Sequence, residues 1–237
     1  MLKPHHRPLV AHGTLSFVCV ALLFSAFLLS LLVSLSLTII KTIYLLSVFS
    51  TRTGQPATSA ATELRFGVWG VCATSVLNAP TFFANNGECF GPMLGYTIPA
   101  DIVALTDISQ GVINAVSQVL LFVLVLHPIA AGLSFITLFS SLFLASHGLT
   151  ILSLVLAIIT AMVTTAVFGI DLALVLVAKS QLPSLEGELQ LGVQWGNAPW
   201  MGLAAAVLTW MAVIALSARA CYCMGVRPST KFRRSKF

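Results

Sequence analysis

Long runs of apolar residues, interrupted by a few polar stretches, set the pattern of this sequence. A first run extends from about residue 15 to residue 40 without a charged side chain, and a last run extends from about 198 to 218. Between them, the region 108–178 contains one charged residue, Asp171, and is too long for a single membrane crossing. Because about 20 apolar residues span the hydrocarbon core of a bilayer, the pattern predicts several transmembrane helices.

The central apolar region divides at Ser146-His147-Gly148, whose small and polar residues favour a tight turn. We therefore expect a second helix over residues 119–145 and an antiparallel third helix over residues 149–177. The last run predicts a fourth helix, with Asn197 as its N-cap and Pro199 in its first turn.

The first run, 15–40, has two interpretations. A cleaved signal peptide has an apolar stretch of about 7–15 residues followed by a cleavage site of small residues. This run is longer and shows no such site, so we expect a retained first transmembrane helix.

Basic residues concentrate at the two ends of the chain, whereas most acidic residues lie in two longer loops. The segments 1–14 and 219–237 contain no Asp or Glu, and the loops 41–118 and 178–197 contain six of the seven acidic residues. Since Lys and Arg near membrane helices stay on the cytoplasmic side, this distribution predicts cytoplasmic termini and extracellular loops.

Composition agrees with a membrane protein. Only 8% of the residues are charged and 58% are hydrophobic, whereas soluble domains contain about 25% charged residues. The net charge of +5 follows from the basic termini, so it indicates membrane orientation and not nucleic-acid binding. We expect an all-α membrane protein, a bundle of four transmembrane helices with a small β element in the first loop.

Two pairs of cysteines suggest covalent chemistry. Cys72 and Cys89 lie in the loop expected to be extracellular, where a disulfide between them would stabilise the fold by roughly 3 kcal/mol. The alternative is two unrelated thiols. Cys221 and Cys223 follow the fourth helix and are candidates for palmitoylation, the alternative being unmodified thiols at the interface.

The first loop contains Phe66-Gly67-Val68-Trp69-Gly70-Val71-Cys72, an alternating segment that predicts a β-strand. Gly67 and Gly70 would permit close approach of another backbone. A second strand is predicted near residues 94–98, and the disulfide would hold this sheet together. The alternative is an irregular loop around a buried Trp69.

This loop motif, in a protein with four predicted membrane helices, resembles the claudin-type superfamily and, more closely, the fungal PalI family. Order and spacing agree from about residue 15 to residue 220. The resemblance rests on five segments: Phe66–Cys72, Gly95-Tyr96, Leu124–Gly132, Phe168–Asp171 and Trp195–Trp200.

The PalI resemblance implies a fungal plasma-membrane protein with a claudin-like fold. Members of the family assist ambient-pH signalling by helping a seven-helix pH receptor reach or remain at the cell surface. Relatives with the same architecture organise static plasma-membrane domains called eisosomes. Many PalI proteins also carry a long polar cytoplasmic tail, whereas the tail predicted here is short and basic.

His127 and Asp171 are the ionisable residues inside the predicted second and third helices. Intramembrane ionisable residues are often functional. The two residues lie at similar distances from the outer ends of antiparallel helices, so we hypothesise that they pair and that the pair loosens as pH rises past the pKa of the histidine. The alternative is that Ser134 or Thr164 holds Asp171 and that His127 only precedes a kink at Pro128.

The basic tail should contact anionic lipid, each charge contributing about 1 kcal/mol. The residues concerned are Arg227, Lys231, Arg233, Arg234 and Lys236. We find no catalytic motif, and we expect no enzymatic activity, cofactor, metal or small-molecule substrate. The expected partners are the lipid bilayer and other membrane proteins. A small channel or transporter is a further alternative, which the scarcity of polar residues in the helices disfavours.

Overall fold

The computed structural model describes seven parts of the 237-residue chain. They are residues 13–37, 39–50, 63–74, 89–90, 110–143, 147–181 and 191–220. The described part contains four helices: α1 (Gly13–Ser34), α2 (Gln110–Leu142), α3 (His147–Gln181) and α4 (Ala198–Ala220). It also contains five strands: β1 (Leu46–Ser50), β2 (Glu63–Phe66), β3 (Val71–Thr74), β4 (Cys89–Phe90) and β5 (Leu191–Trp195).

All four helices are long and apolar enough to cross a membrane. Large apolar side chains on them face outward, such as Phe17, Met162 and Ile214, which are 68%, 60% and 62% exposed. A surface of this kind is unfavourable in water and suits contact with lipid acyl chains. The chain is therefore a multi-pass membrane protein, as the apolar pattern predicts.

Helix α1 ends at Ser34, six residues before the end of the apolar run from which it was predicted. The run continues to Ile40, but Leu37 adopts a left-handed backbone conformation with φ of 58°, which a right-handed helix does not accommodate. Leu37 and Ile40 remain 3% and 5% exposed, and the amide of Leu37 donates to the carbonyl of Ile40 over 3.0 Å. The last apolar residues thus form a buried turn, which hydropathy alone does not distinguish from helix.

Residue contacts divide the chain into two compact units. The described residues of unit 1 lie within Met1–Leu29, Ala130–Thr165 and Ala204–Phe237. Its core consists mainly of small side chains, which let helices approach closely in lipid. The core residues are Cys19, Leu23, Ala157, Ala161, Ala212, Val213 and Leu216. A hydrogen bond of 2.8 Å between the hydroxyls of Thr137 and Thr160 joins α2 to α3 in this unit.

Unit 2 comprises the described residues within Ser30–Ile129 and Ala166–Leu203, and it contains the whole sheet. The strand order is β4-β3-β2-β1-β5, and every neighbouring pair is antiparallel. Leu46 of β1 lies opposite Phe66 of β2 on one side and opposite Trp195 of β5 on the other. Since β5 lies between α3 and α4 in the chain, the sheet joins the first loop to the second.

The prediction of a single strand over residues 66–72 is wrong. β2 ends at Phe66, β3 begins at Val71, and the four residues between them form the turn of a hairpin. The amide of Gly67 donates to the carbonyl of Gly70 over 3.0 Å and closes this turn. The alternating pattern continues on both sides of so tight a turn, so periodicity alone does not reveal the reversal.

Some predicted features lie outside the described residues. They include the second strand near residues 94–98, the Gly95-Tyr96 step and the start of the turn at Ser146. His147, from the same predicted turn, is the first residue of α3.

Candidate functional site

The hairpin turn Gly67–Gly70 packs on the C-terminal end of α1. The amide of Val68 donates to the hydroxyl of Ser36 over 3.0 Å, and the indole N–H of Trp69 donates to the carbonyl of Ser34. The last carbonyls of a helix have no partner within the helix, so the indole satisfies one of them. This contact gives Trp69 a physical role, and the loop motif predicted from the sequence is a helix-capping turn.

Gly67 is required by close packing in this turn. A Cβ atom at position 67 would lie 2.7 Å from side-chain atoms of Leu37, closer than nonbonded carbon atoms approach. Leu37 is the residue with the left-handed backbone, and it is 3% exposed. The turn and the end of α1 are therefore fitted to each other at both residues.

A second junction connects the start of α4 to the chain segment that leads into β1. The side chain of Asn197 accepts a hydrogen bond from the amide of Tyr44 over 3.1 Å and donates one to the carbonyl of Thr42 over 3.0 Å. Gly196 donates its amide to the carbonyl of Leu45 over 2.9 Å. These three hydrogen bonds thus join five residues from two segments that are distant in sequence.

The N-cap position predicted for Asn197 is correct for its backbone, because its carbonyl accepts the amide of Met201 over 3.1 Å. Its side chain, however, bonds across the junction, and nothing in the local sequence signals this use. Gly196 has no room for a side chain, since a Cβ there would lie 2.0 Å from the carbonyl oxygen of Tyr44.

The disulfide between Cys72 and Cys89 is present and confirms the prediction. The two residues lie directly opposite each other on β3 and β4, so the bond fixes the short edge strand to the sheet. Cys72 is 2% exposed, and residue 89 is exposed.

The two charged residues of β2, Glu63 and Arg65, contact each other. Arg65 makes two hydrogen bonds to the carboxylate of Glu63, of 3.1 and 3.2 Å, and its guanidinium carbon lies 4.7 Å from the ring centre of Tyr44. Such paired and stacked contacts suit arginine better than lysine.

His127 and Asp171 meet in the helical part of unit 2. The Nε2 atom of His127, on α2, lies 3.1 Å from the Oδ2 atom of Asp171, on α3. The two side chains are 4% and 2% exposed. Pro128 follows His127 inside α2, and a proline lacks the N–H that would continue the helical hydrogen bonds.

The alternative partners of Asp171 make other contacts. The hydroxyl of Ser134 donates to the carbonyl of Ala130 over 2.8 Å, and that of Thr164 donates to the carbonyls of Thr160 and Ala161. In each of these hydrogen bonds the donor and the acceptor belong to the same helix, as is usual for hydroxyls in membrane helices.

In unit 1, the buried guanidinium of Arg219 near the end of α4 donates a hydrogen bond to the hydroxyl of Ser16 on α1. The palmitoylation candidates and the basic tail, residues 221–237, lie outside the described residues. Within the described ranges, no group of three or more His, Cys, Asp or Glu side chains could hold a metal ion.

Comparison with known proteins identifies the family. The family model described as the SUR7/PalI family matches residues 15–212, which include α2, α3, most of α1, the larger part of α4, the disulfide and both junctions. No curated protein matches the chain. The matched region includes the capping turn, Gly196-Asn197 and the His127–Asp171 contact. By this match over most of its length, the chain belongs to the SUR7/PalI family of membrane proteins.

Proposed function

We propose that this protein is a non-enzymatic accessory factor of the fungal plasma membrane that supports ambient-pH signalling by binding and placing another membrane protein. The observation that carries the proposal is the SUR7/PalI match over residues 15–212. PalI-type proteins, which this sequence resembles, assist a seven-helix pH receptor in reaching or remaining at the cell surface. We take such a receptor as the partner.

The distribution of polar residues fits an accessory role. The family segments Gly67–Gly70 and Gly196-Asn197 form internal contacts that shape the sheet of unit 2. The exposed side chains on the membrane helices are largely apolar. The loops therefore form a structured region on one side of the membrane. The apolar helix surfaces can pack against lipid or against the helices of another membrane protein, as association within the membrane requires.

The basic ends of the sequence support a cytoplasmic location for both termini, with the sheet outside. The disulfide supports the same orientation, because disulfides persist in oxidising compartments. An extracellular sheet would be exposed to the pH that the proposed pathway measures.

The test is a strain in which the coding sequence for this protein is deleted. Growth and a pH reporter are measured at alkaline pH, and the fluorescently tagged receptor is imaged in the same cells. We expect loss of activation together with loss of the receptor from the surface, and rescue of both by the wild-type chain. The Gly202→Ala variant is the matched control and should also rescue, since Gly202 has open space where a Cβ would lie.

A second candidate function is organisation of plasma-membrane domains, as in eisosomal relatives. It is favoured by the extensive outward-facing apolar surface and by a sheet that both loops build together. Normal activation and normal receptor placement in the deletion strain would contradict the signalling role and favour this one. Tagged protein confined to immobile cortical patches would then support it.

A further inference from the structure

Two neighbouring rows of apolar side chains lie on one face of the sheet in unit 2. Residues that pair across neighbouring strands point to the same face, and successive residues of a strand alternate between the two faces. The first row crosses four strands, and the second row crosses three. The first row is Trp195, Leu46, Phe66 and Val71, and the second is Val193, Val48 and Leu64.

The central part of this apolar face is more exposed than the face behind it. Leu64 on β2 is 38% exposed, and its neighbour Val48 on β1 is partly exposed. On the opposite face, Ser47 of β1 and Cys72 of β3 are 0% and 2% exposed, although Gln194 on the edge strand β5 is exposed. An antiparallel sheet beside water normally has the reverse arrangement, with its apolar side chains covered. The apolar face is therefore suited to contact with something other than water.

The first row lies where the chain enters the membrane helices. Trp195 is the last residue of β5, and α4 begins at Ala198. Phe66 and Val71 flank the turn that packs on the end of α1. The second row is two residues further along the strands, a distance of about 7 Å. Because the headgroup layer on each side of the hydrocarbon core is about 5–8 Å thick, both rows can lie within it.

Two tryptophans connect this face to the surface of α4. The ring centre of Trp195 lies 6.4 Å from that of Trp200, and Trp200 is 61% exposed in the first turn of α4. Indole rings favour the boundary between acyl chains and headgroups, where the ring has apolar surroundings and the N–H stays near water. The apolar face is thus continuous with a helix that crosses the membrane.

We propose that the apolar face of the sheet lies against the headgroup layer of the bilayer that the helices cross, and that phospholipid is its ligand. The sheet leans over the membrane, with Val48, Leu64 and Val193 in contact with lipid and Ser47 on the side turned away. Both loops build this contact, since β1 and β2 belong to the first loop and β5 to the second. The proposal goes beyond the signalling role and does not depend on it.

The experiment measures which face of the sheet is near lipid. Single cysteines replace Leu64, Val193 or Gln194 in the full-length chain, with Cys221→Ser and Cys223→Ser in the background. Each protein is labelled with bimane and reconstituted in phosphatidylcholine nanodiscs. Fluorescence quenching is measured with a nitroxide near the top of the lipid acyl chain and, separately, with a water-soluble nitroxide. The ratio of the two quenching efficiencies is compared among the three positions.

Gln194→Cys is the matched control because it separates the face of the sheet from depth along the strand. Residue 194 is one position closer to α4 than Val193, but it lies on the opposite face. Distance along the strand alone would therefore give position 194 at least as much quenching by lipid as position 193. Cys19 is buried, and a labelled sample without an introduced cysteine corrects for any signal from it.

The ratio of lipid to aqueous quenching should be several-fold higher at positions 64 and 193 than at position 194. A ratio at 194 equal to or above the other two would overturn the proposal, because the apolar face would then be open to water and available to a protein partner. If a variant does not fold, the unmodified protein decides. A diazirine-bearing phospholipid should form adducts with Val48 or Leu64 on illumination, and adducts confined to the helices would refute the lipid contact.

Discussion

Replacement of Asn197 by alanine tests the junction that joins the two loops. The change removes two hydrogen bonds, from the amide of Tyr44 and to the carbonyl of Thr42, and it leaves the helix and the sheet otherwise unchanged. Asn197→Asp is the informative partner variant, because its carboxylate can still accept from Tyr44 but faces the carbonyl of Thr42 without a proton to donate.

The magnitude follows from the two bonds. Each neutral hydrogen bond contributes about 0.5–1.5 kcal/mol, so Asn197→Ala should lower the free energy of unfolding by about 1–3 kcal/mol. At about 2–4 °C per kcal/mol for a protein of this size, the unfolding midpoint should fall by about 2–12 °C. Asn197→Asp should be destabilising as well, since it loses one bond and adds repulsion between two oxygen atoms.

The assay is thermal unfolding in nanodiscs, with Gln194→Ala as the control. Gln194 lies on β5 near the junction, and its side chain is exposed, so truncation should change stability by less than about 0.5 kcal/mol. An Asn197→Ala protein with the stability of the control would refute the claim that this side chain holds the loops together.

Three further variants test the sheet. Gly196→Ala should destabilise the protein far more than Gly202→Ala in the same unfolding assay, because a Cβ at 196 would lie 2.0 Å from a backbone carbonyl oxygen while the space at 202 is open; equal effects would contradict the close approach. Cysteines introduced together at Val48 and Val193 should crosslink on mild oxidation, since these residues lie opposite each other on β1 and β5, and absence of the crosslink in a gel-shift assay would contradict the register. Cys89→Ser should cost roughly 3 kcal/mol of stability by removing the disulfide, and unchanged denaturant unfolding would argue against that contribution.

The helices were predictable because the bilayer imposes one strong requirement. A run of about 20 apolar residues can be recognised directly from the sequence, and each of the four predicted spans is a helix in the structure. The end of α1 was less predictable, since Leu37 and Ile40 are apolar for a different reason, namely burial in a turn. Hydropathy does not distinguish a side chain buried within the protein from one that contacts lipid.

The sheet was predictable only in part. The disulfide followed from two cysteines in one loop. β1 and β5, however, are short strands that pair with each other across a large separation in sequence, as Ser47 does with Gln194. Local patterns do not carry such information. Trp195 is the last residue of β5, and its ring lies 6.4 Å from that of Trp200.

The proximity of His127 and Asp171 could be anticipated because antiparallel helices bring residues of equal depth together, and the structure places their polar atoms 3.1 Å apart. The role of the pair in sensing stays a prediction. The contacts of Ser36 and Asn197 could not be anticipated, because each joins segments that only the folded chain brings together.

The account depends most directly on a sheet outside the cell and basic termini inside it. The decisive measurement is labelling by a membrane-impermeant maleimide in intact cells, with Cys221 and Cys223 replaced by serine. A single cysteine introduced at Gln194 should be labelled in intact cells, and one introduced at Lys236 should be labelled only after permeabilisation. Labelling of the Lys236→Cys protein in intact cells, with protection of the Gln194→Cys protein, would contradict the orientation and with it an extracellular role for the sheet.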